Sequence, residues 1–565
     1  MTGVAAASPP PVRAPALYWR LLLALAALKL SVHLALAGRY GYFRDELYFL
    51  DCGRHLDWGY VDHAPLIGLL ARLALTLGGS LPVLRAFAAL AGAGLVVLTG
   101  ALAWRFGGGR FAQGLAALCV IAAPIYLGTD SLFTMNAFEP LFWMGAVYVL
   151  IDTLQTAPSI NARSPFDGPR VSGRTTTESD RDPLVLSPSK HERGEVRHSA
   201  SGDARRWVLF GLLVGLGLMN KHSTVFFGVA VVAGLLLTRD RRQFTGPGPW
   251  VATCVALLVF APNLVWQVRH GFPTIELLRN VADSGKNVVL GPLAFVGEQI
   301  LILHPVLLPL WGAGLVYLFG AAGGRWRALG WTFVVCALLM FALRAKSYYL
   351  APMYPMLFAA GAVAMEIALA QWALTRQRRW PQAVVAGGVV VAAVPMAFVA
   401  LPILAPERFV AYQSTLGIGP PQTEVSHTAA LPQIFADQFG WEEFVAEMAR
   451  VYHALPADER RRAVLFAGNY GEAGAINLFG PALGLPRAIS GHQSYFLWGY
   501  GATGDDAVII TRGRRENLQA QCQSVEQVGM HFHPWGLPGQ NGLIFVCRGL
   551  KTPLAELWPR MKVWR

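Results

Sequence analysis

Long apolar segments alternate with short polar stretches through the first 404 residues of the chain. A helix that crosses a bilayer needs about 20 consecutive apolar residues, and segments near the lower limit are typical of tilted, bent or re-entrant helices. The pattern predicts about eleven spans, near residues 16–37, 82–104, 110–128, 135–154, 207–219, 223–238, 248–267, 300–319, 328–343, 350–372 and 382–404. The chain is therefore expected to be a polytopic α-helical membrane protein.

The first apolar run, residues 21–37, has a second interpretation. Arg13 and Arg20 precede it, as basic residues precede the apolar core of a secretory signal peptide. The run is longer than such a core, and no clear small-x-small cleavage site comes before Gly38. We therefore interpret it as a retained first span.

Two segments depart from the apolar pattern. Residues 158–206 are rich in Ser, Arg, Asp, Glu and Pro, which predicts a disordered cytoplasmic insertion. Residues 405–565 regain mixed patterning, with apolar runs at 463–467 and 507–510 that are typical of buried strands and a helical stretch at 441–454. The sequence thus predicts a small C-terminal α/β domain.

Composition and charge extend this picture. Hydrophobic residues make up 54% of the chain and charged residues 14%, with a mean hydropathy of +0.41, whereas soluble domains carry about 25% charged residues. Residues 1–404 are accordingly predicted to form a transmembrane domain. Lysine and arginine residues concentrate in loops that stay in the cytoplasm. This rule places the N-terminus in the cytoplasm and, after an odd number of spans, residues 405–565 on the opposite side of the membrane.

The net charge of +13 would suggest a nucleic-acid partner if the chain were soluble. No basic run is interleaved with aromatic residues, so nucleic acid is not expected as a partner. The basic residues are instead explained by the loops of a membrane protein.

Six cysteines are too few and too scattered for a disulfide scaffold or a zinc cluster. Cys119, Cys254 and Cys336 fall inside apolar spans and are expected to be packing residues. Cys522 and Cys547 lie in the polar C-terminal region and can pair if that region is outside. The sequence alone leaves that bond open.

An Asp-Glu pair, Asp45-Glu46, follows the first span within a few residues. Carboxylates beside a bilayer lose solvation unless they bind a cation, accept hydrogen bonds or take part in chemistry. Asp45 and Glu46 are therefore candidate catalytic residues. The alternative to a functional site is that the whole outer loop, residues 39–81, forms an interfacial helix pair with a solvated face. Asp130, in the next outer loop, is either a third catalytic acid or the cap of a helix.

Cations and hydroxyl groups are predicted at the same level of the membrane as these acids. A lipid-linked phosphate needs paired positive charge and hydrogen-bond donors where the bilayer meets water, although snorkelling side chains and interfacial tyrosines give the same pattern. The candidate donor-phosphate ligands are His63, Arg85, Lys221, His222, Lys346 and Tyr349.

Polar and aromatic residues also cluster at predicted loop edges of the C-terminal domain. Acceptor binding and ordinary turns with surface aromatics explain these clusters equally well. The candidate acceptor-binding residues are Asn469, Tyr470, Glu472 and His492.

These residues together fit a transferase that uses a lipid-phosphate sugar. Such an enzyme binds the phosphate leaving group with cations and activates the acceptor with a carboxylate. It needs no nucleotide, and the chain has no Walker loop or Rossmann fingerprint. A membrane transporter and a lipid-phosphate hydrolase are the alternatives.

Six short motifs carry a resemblance to a known family. They are residues 43–48, 60–66, 133–139, 218–223, 346–352 and 468–474. With these motifs the chain resembles the bacterial membrane glycosyltransferases of family 39. That family has the GT-C fold and is related to protein O-mannosyltransferases and to the lipid A aminoarabinose transferase.

The resemblance implies an inverting transfer of a sugar from a polyprenyl-phosphate donor to a lipid, glycan or protein acceptor. The transfer is expected at the periplasmic face of a bacterial inner membrane, with residues 405–565 in the periplasm. It implies that Asp45 is the essential acid and that Asp130 is the second outer-loop acid. His63 stands where relatives have a phosphate-binding lysine, and Tyr349 is expected in the donor pocket. A divalent metal ion, if one is used, is expected on Asp45 and Asp62.

Overall fold

The computed structural model describes residues 15–156, 190–285, 288–320, 322–376, 380–417, 419 and 429–565. Its first part is helical. The helices are α1 (Trp19–Leu36), α2 (Arg44–Arg54), α3 (Leu66–Thr76), α4 (Leu81–Arg105), α5 (Arg110–Ala122), α6 (Pro124–Thr129), α7 (Met135–Thr156), α8 (Lys190–Asn220), α9 (Thr224–Leu236), α10 (Gly248–Arg269), α11 (Pro273–Asp283), α12 (Pro292–Leu303), α13 (Leu308–Phe319), α14 (Arg327–Ala342), α15 (Tyr354–Arg376) and α16 (Trp380–Ala400).

The apolar segments of the sequence coincide with helices, which confirms the predicted fold class. Within the described residues, seven helices are long and apolar enough to cross a membrane, or eight if one bent pair counts as a single span. Three shorter apolar helices, α3, α5 and α9, accompany them. The predicted number of eleven spans is therefore not confirmed.

Two of the predicted spans are broken by proline. The segment predicted at 300–319 is part of a pair of helices that meet at an angle of 96°. His304, at the break, has a φ of 83° and precedes Pro305, and a residue before proline is disfavoured in the helical region. The segment predicted at 110–128 is likewise divided between α5 and α6, where Pro124 begins α6.

The predicted insertion at 158–206 lies largely outside the described residues. The described part starts again at residue 190, where α8 begins. The helix therefore begins inside the segment for which the sequence predicts disorder.

Small residues allow the membrane helices to approach closely. A Cβ atom added at Gly361 of α15 would meet the carbonyl oxygen of Leu310 in α13, and one added at Gly314 would meet that of Leu357. Without a hydrophobic driving force between helices in lipid, such close backbone packing is a main source of helix association. Leu310 and Leu357 belong to the large hydrophobic core of the helical part.

The C-terminal part combines helices with one sheet, as predicted. Four strands are ordered β1-β2-β4-β3, with β1 and β2 parallel and the remaining pairs antiparallel. The predicted strand segments and the predicted helix at 441–454 are confirmed. The elements are α17 (Pro406–Leu416), α18 (Gln433–Ala436), α19 (Trp441–Ala454), α20 (Ala457–Arg461), β1 (Ala463–Phe466), α21 (Tyr470–Phe479), α22 (Ser494–Trp498), β2 (Val508–Arg512), α23 (Arg515–Gln521), β3 (Cys522–His531), β4 (Gly542–Leu550) and α24 (Leu554–Leu557).

A disulfide between Cys522 and Cys547 joins β3 to β4. The pairing that the sequence leaves open is thus present in the structure. Because it links two adjacent antiparallel strands, it fastens the edge strand β3 to the rest of the sheet.

The loop after the first span folds as the helix pair α2 and α3. Helix α2 packs against α21 of the C-terminal part, and both contribute to one hydrophobic core that contains Leu47, Leu50 and Ile476. Gly474 makes this approach possible, since a Cβ atom there would lie 2.7 Å from the carbonyl carbon of Leu47. The loop at residues 39–81 and the C-terminal domain are therefore packed as one unit.

Candidate active site

A cavity of about 240 Å³ opens beside the N-terminus of α2. Four separate parts of the chain line it, so distant predicted motifs meet here. The lining residues are Phe43, Arg44, Asp45, Ile125, Thr129, Leu132, Thr134, Asn136, Lys346, Tyr348, Pro432, Gln433 and Ile434.

Asp45 presents a carboxylate to this cavity. Its side chain is 33% exposed, and its Oδ1 atom accepts a hydrogen bond of 2.7 Å from the hydroxyl group of Tyr470. The guanidinium of Arg44 lies 4.0 Å from the same oxygen and 5.4 Å from the centre of the Tyr470 ring. Within the described residues Oδ2 has no hydrogen-bond partner, so it is available to a substrate.

Glu46 points away from the cavity and is fully buried. Its carboxylate forms a two-point ion pair with Arg85, at 3.0 and 2.9 Å. It also accepts hydrogen bonds from the backbone amides of Phe43 and Phe133. This geometry favours a structural role for Glu46 over the predicted catalytic role.

The hydrogen-bond donors of Arg85, a predicted phosphate ligand, are used within the protein by the same arrangement. Besides Glu46 it donates to the carbonyl oxygens of Ala37 and Gly41 and to the side chain of Gln438. Only 2% of the residue is exposed. Its guanidinium therefore joins α4 to the loop before Asp45 and to the C-terminal part, which favours a structural role.

Asp130 is also buried and forms an ion pair of 3.0 Å with Lys29 of α1. It is not among the cavity-lining residues, although its neighbour Thr129 is. Lys29 was missed by the sequence analysis. The signal was present, because a lysine inside an apolar span is costly unless it has a partner.

His63 and Asp62 lie in the loop between α2 and α3 and are not among the residues that line the cavity. The His63 ring is 1% exposed and packs among Tyr48, Phe49 and Tyr60, so a role as phosphate ligand is disfavoured. Asp62 accepts a hydrogen bond of 2.9 Å from Tyr48. Burial raises the pKa of Asp62, and the negative charge of Asp45 adds to the rise.

The two predicted metal ligands, Asp45 and Asp62, each accept a hydrogen bond from a tyrosine. The rings of those tyrosines, Tyr470 and Tyr48, pack 5.2 Å apart. No group of three or more His, Cys, Asp or Glu side chains that suits a metal ion is found in the described part of the chain. Ca²⁺ and Mg²⁺ take six or more oxygen ligands, counting those of water and substrate, so Asp45 and Asp62 would supply only part of such a set.

Lys221 lies one hydrogen bond from the cavity. Its ammonium donates to Asn136, a lining residue, at 2.8 Å and to Glu139 at 2.9 Å. The same nitrogen is 4.0 Å from the centre of the Tyr349 ring. Two predicted phosphate ligands, Lys221 and Tyr349, are thus in contact with each other.

The other predicted phosphate ligands differ in position. Lys346 lines the cavity directly, at the start of a short 3-10 helix whose Ser347 carbonyl accepts a hydrogen bond from Gln299. His222 instead bonds to Asn263 of α10 at 3.0 Å. The structure therefore brings Lys346, but not His222, to the same cavity as Asp45.

The four predicted acceptor ligands surround the start of α21. Asn469 caps this helix by accepting from the amide of Glu472, and Glu472 is buried in an ion pair with Arg512. His492 accepts from the amide of Tyr470 at 3.1 Å. The Tyr470 side chain reaches a cavity-lining residue, Asp45, while Asn469, Glu472 and His492 support the start of its helix.

Comparisons with known proteins give a family match over one part of the chain. Residues 196–266 match the family described as dolichyl-phosphate-mannose-protein mannosyltransferase. No curated protein sequence matches the chain.

Solved structures give a match over most of the chain. ArnT from Cupriavidus metallidurans bound to undecaprenyl phosphate has 14% identity and a TM-score of 0.54, with 94% of this chain and 98% of that chain covered. The apo state of the same protein has 14% identity, a TM-score of 0.51 and coverage of 94% and 97%. At this identity the likeness shows the fold. The chain thus has the GT-C fold of membrane glycosyltransferases, which confirms the fold that its resemblance to family 39 implies.

Proposed function

We propose that the protein is a membrane glycosyltransferase that moves a sugar from a polyprenyl-phosphate donor to an acceptor lipid, glycan or protein. The observation that carries the proposal is the meeting of Asp45 and Lys346 in one cavity. They lie about 300 residues apart in the sequence. An acid with a free oxygen beside a lysine is what a transfer with an anionic leaving group requires.

In the proposed reaction, the acceptor hydroxyl or amine attacks the anomeric carbon of the donor sugar. Oδ2 of Asp45 takes the acceptor proton, while Tyr470 and Arg44 hold Oδ1. The bond between the anomeric carbon and the phosphate oxygen breaks, and the phosphate leaves with the electron pair. Lys346 stabilises the negative charge of that phosphate. A single displacement of this kind inverts the anomeric centre.

Lys221 supports the leaving group indirectly, because it does not line the cavity but bonds to Asn136, which does. An ammonium has three donors, and two of them are used by Asn136 and Glu139. The buried Glu139 needs this cation, so Lys221 is held in a fixed position against Tyr349. We assign to Lys221 the task of orienting Asn136 and of adding positive potential at the cavity.

The donor lipid has an apolar surface available close to these cations. A cavity of about 370 Å³ lies between α8, α9 and α10 and is lined by Phe210, Leu218, Thr224 and other mostly apolar residues. Leu218 and Thr224 flank Lys221 in the sequence, so the cavity extends from the level of the cations. We assign it to the polyprenyl chain. The undecaprenyl phosphate bound to ArnT, which has the same fold, supports this assignment.

We further propose that the reaction takes place at the periplasmic face of a bacterial inner membrane. Two independent observations support this orientation. The basic loops suit a cytoplasmic N-terminus, and a disulfide between Cys522 and Cys547 suits an oxidising compartment for the C-terminal domain, residues 405–565.

The decisive experiment is the Asp45→Asn variant in membranes supplied with a panel of labelled polyprenyl-phosphate sugars. Asparagine keeps an oxygen that accepts from Tyr470 but cannot take a proton, so transfer should fall at least about a hundredfold. Asp283→Asn, an exposed acid on α11, is the matched control.

Three outcomes would contradict the proposal. Normal transfer by Asp45→Asn would remove Asp45 from the mechanism. Release of free sugar in the presence of acceptor would indicate a hydrolase. Uptake of labelled solute into vesicles without transfer would indicate a transporter.

A further inference from the structure

A second cavity, of about 460 Å³, lies in the C-terminal domain. It is lined by Ala463, the first residue of β1, and by Ala507, which precedes β2, so it occupies the N-terminal ends of the two parallel strands. Tyr470 follows the opposite end of β1. The two cavities share no lining residue.

The wall of this cavity is positively charged. Three arginines line it, Arg461, Arg462 and Arg487, against the single acid Asp506. Arg462 lies 3.6 Å from the Asp506 carboxylate and donates to its carbonyl oxygen at 2.8 Å. Arg461 and Arg487 are exposed and make no hydrogen bond or ion pair with any described residue. Two guanidinium groups are therefore left for an external anion.

A glycine-rich loop, residues 499–504, forms another wall. Gly501 adopts a positive φ of 61°, and the backbone amides of Gly501, Ala502 and Gly504 donate to no other residue of the described chain. Free amides in such a turn are suited to anions. The ring of Tyr500 lies at the start of this loop and supplies a flat, half-buried surface.

We propose that this cavity binds an anionic saccharide, a sugar that carries a phosphate or carboxylate group. The guanidinium groups of Arg461 and Arg487 bind the anion by charge-assisted hydrogen bonds. The Tyr500 ring and the apolar side chains of Val464 and Ile489 cover a face of the sugar ring. The volume lies in the usual range of ligand pockets. The site does not depend on the proposed transfer reaction.

The test measures binding to the detergent-solubilised full-length protein at low ionic strength. Isothermal titration with glucose 6-phosphate, glucose and inorganic phosphate separates the anion from the sugar. We expect glucose 6-phosphate to bind more tightly than either of the other two. The double variant Arg461→Ala/Arg487→Ala should weaken this binding at least about tenfold.

Two control variants make the result specific. Arg514→Ala/Arg560→Ala removes the same charge from exposed arginines that do not line the cavity, and it should bind as the wild type does. Lys346→Gln, which removes the proposed phosphate ligand of the candidate active site, should also leave the binding unchanged. A loss of binding in that variant would place the sugar phosphate in the candidate active site and overturn the inference.

Unchanged binding in Arg461→Ala/Arg487→Ala would overturn the proposed site. Equal binding of glucose would overturn the role of the anion, and equal binding of inorganic phosphate would overturn the role of the sugar. Tyr500→Ala tests the sugar contact separately, since it should reduce the preference for glucose 6-phosphate over phosphate.

Discussion

The hydroxyl group of Tyr470 donates a 2.7 Å hydrogen bond to Asp45, although the two residues are 425 positions apart in the sequence. The tyrosine begins α21 of the C-terminal domain, and the aspartate lies in the first turn of α2. The C-terminal domain therefore contributes directly to the geometry of the candidate catalytic acid.

Tyr470→Phe should lower kcat for sugar transfer roughly tenfold to a hundredfold, because one hydrogen bond that orients a charged group is lost. The KM for the donor should change little, since Tyr470 does not line the cavity. Steady-state kinetics in detergent measure both. Tyr452→Phe, on α19 of the same domain, is the control, and an unchanged kcat in Tyr470→Phe would contradict the positioning role.

Arg85→Met should destabilise the protein by about 3–5 kcal/mol, because it leaves the buried carboxylate of Glu46 without its cation. Thermal unfolding of the solubilised protein measures the loss. The double variant Glu46→Gln/Arg85→Met removes both charges and should be less destabilised than the sum of the single variants. An Arg85→Met protein of normal stability with a raised donor KM would instead identify Arg85 as a phosphate ligand.

Lys346→Gln should raise the KM for the polyprenyl-phosphate donor about tenfold or more, because a charge-assisted contact to the phosphate is replaced by a neutral one. Lys551→Gln, an exposed lysine remote in sequence from the cavity residues, is the matched control. Equal KM values for the two variants would exclude Lys346 from donor binding.

Asp62→Asn should stabilise the protein at neutral pH. Burial raises the pKa of Asp62 above its ordinary value of 3.8, so the folded protein loses stability as the pH rises through the raised pKa. Asparagine still accepts from Tyr48 and carries no charge. The stability gain should therefore shrink as the pH falls towards 3.8.

Thermal unfolding of both proteins between acidic and neutral pH, with a chelator present, tests this difference. A variant less stable than the wild type at neutral pH would show that ionised Asp62 has a favourable partner. A difference independent of pH would assign the effect to packing.

Cys522 and Cys547 should be oxidised in intact cells. Alkylation before and after reduction, followed by mass spectrometry of the two peptides, measures this. In a strain without periplasmic disulfide oxidation both should become alkylated directly. Free thiols in wild-type cells would argue against a periplasmic C-terminal domain, since disulfides persist in oxidising compartments.

The sequence was sufficient for features that depend on near neighbours. The membrane helices follow from runs of apolar residues, and strands β1 and β2 follow from short apolar runs between turns. Asp45 could be identified because a charge beside a bilayer costs free energy whatever the fold of the rest of the chain. The break at Pro305 also depends on neighbouring residues, but it was not predicted because Pro305 lies within an apolar run.

The roles of the charged residues were decided by the tertiary structure. Glu46 adjoins Asp45 in sequence, yet one step along α2 turns it by about 100° into the protein, where Arg85 pairs with it. Likewise Asp130 meets Lys29, and Tyr470 meets Asp45. Residue type and local pattern determine that a buried charge must find a partner. Which partner it finds depends on contacts between distant segments, and these exist only once the helices and the C-terminal domain have packed together.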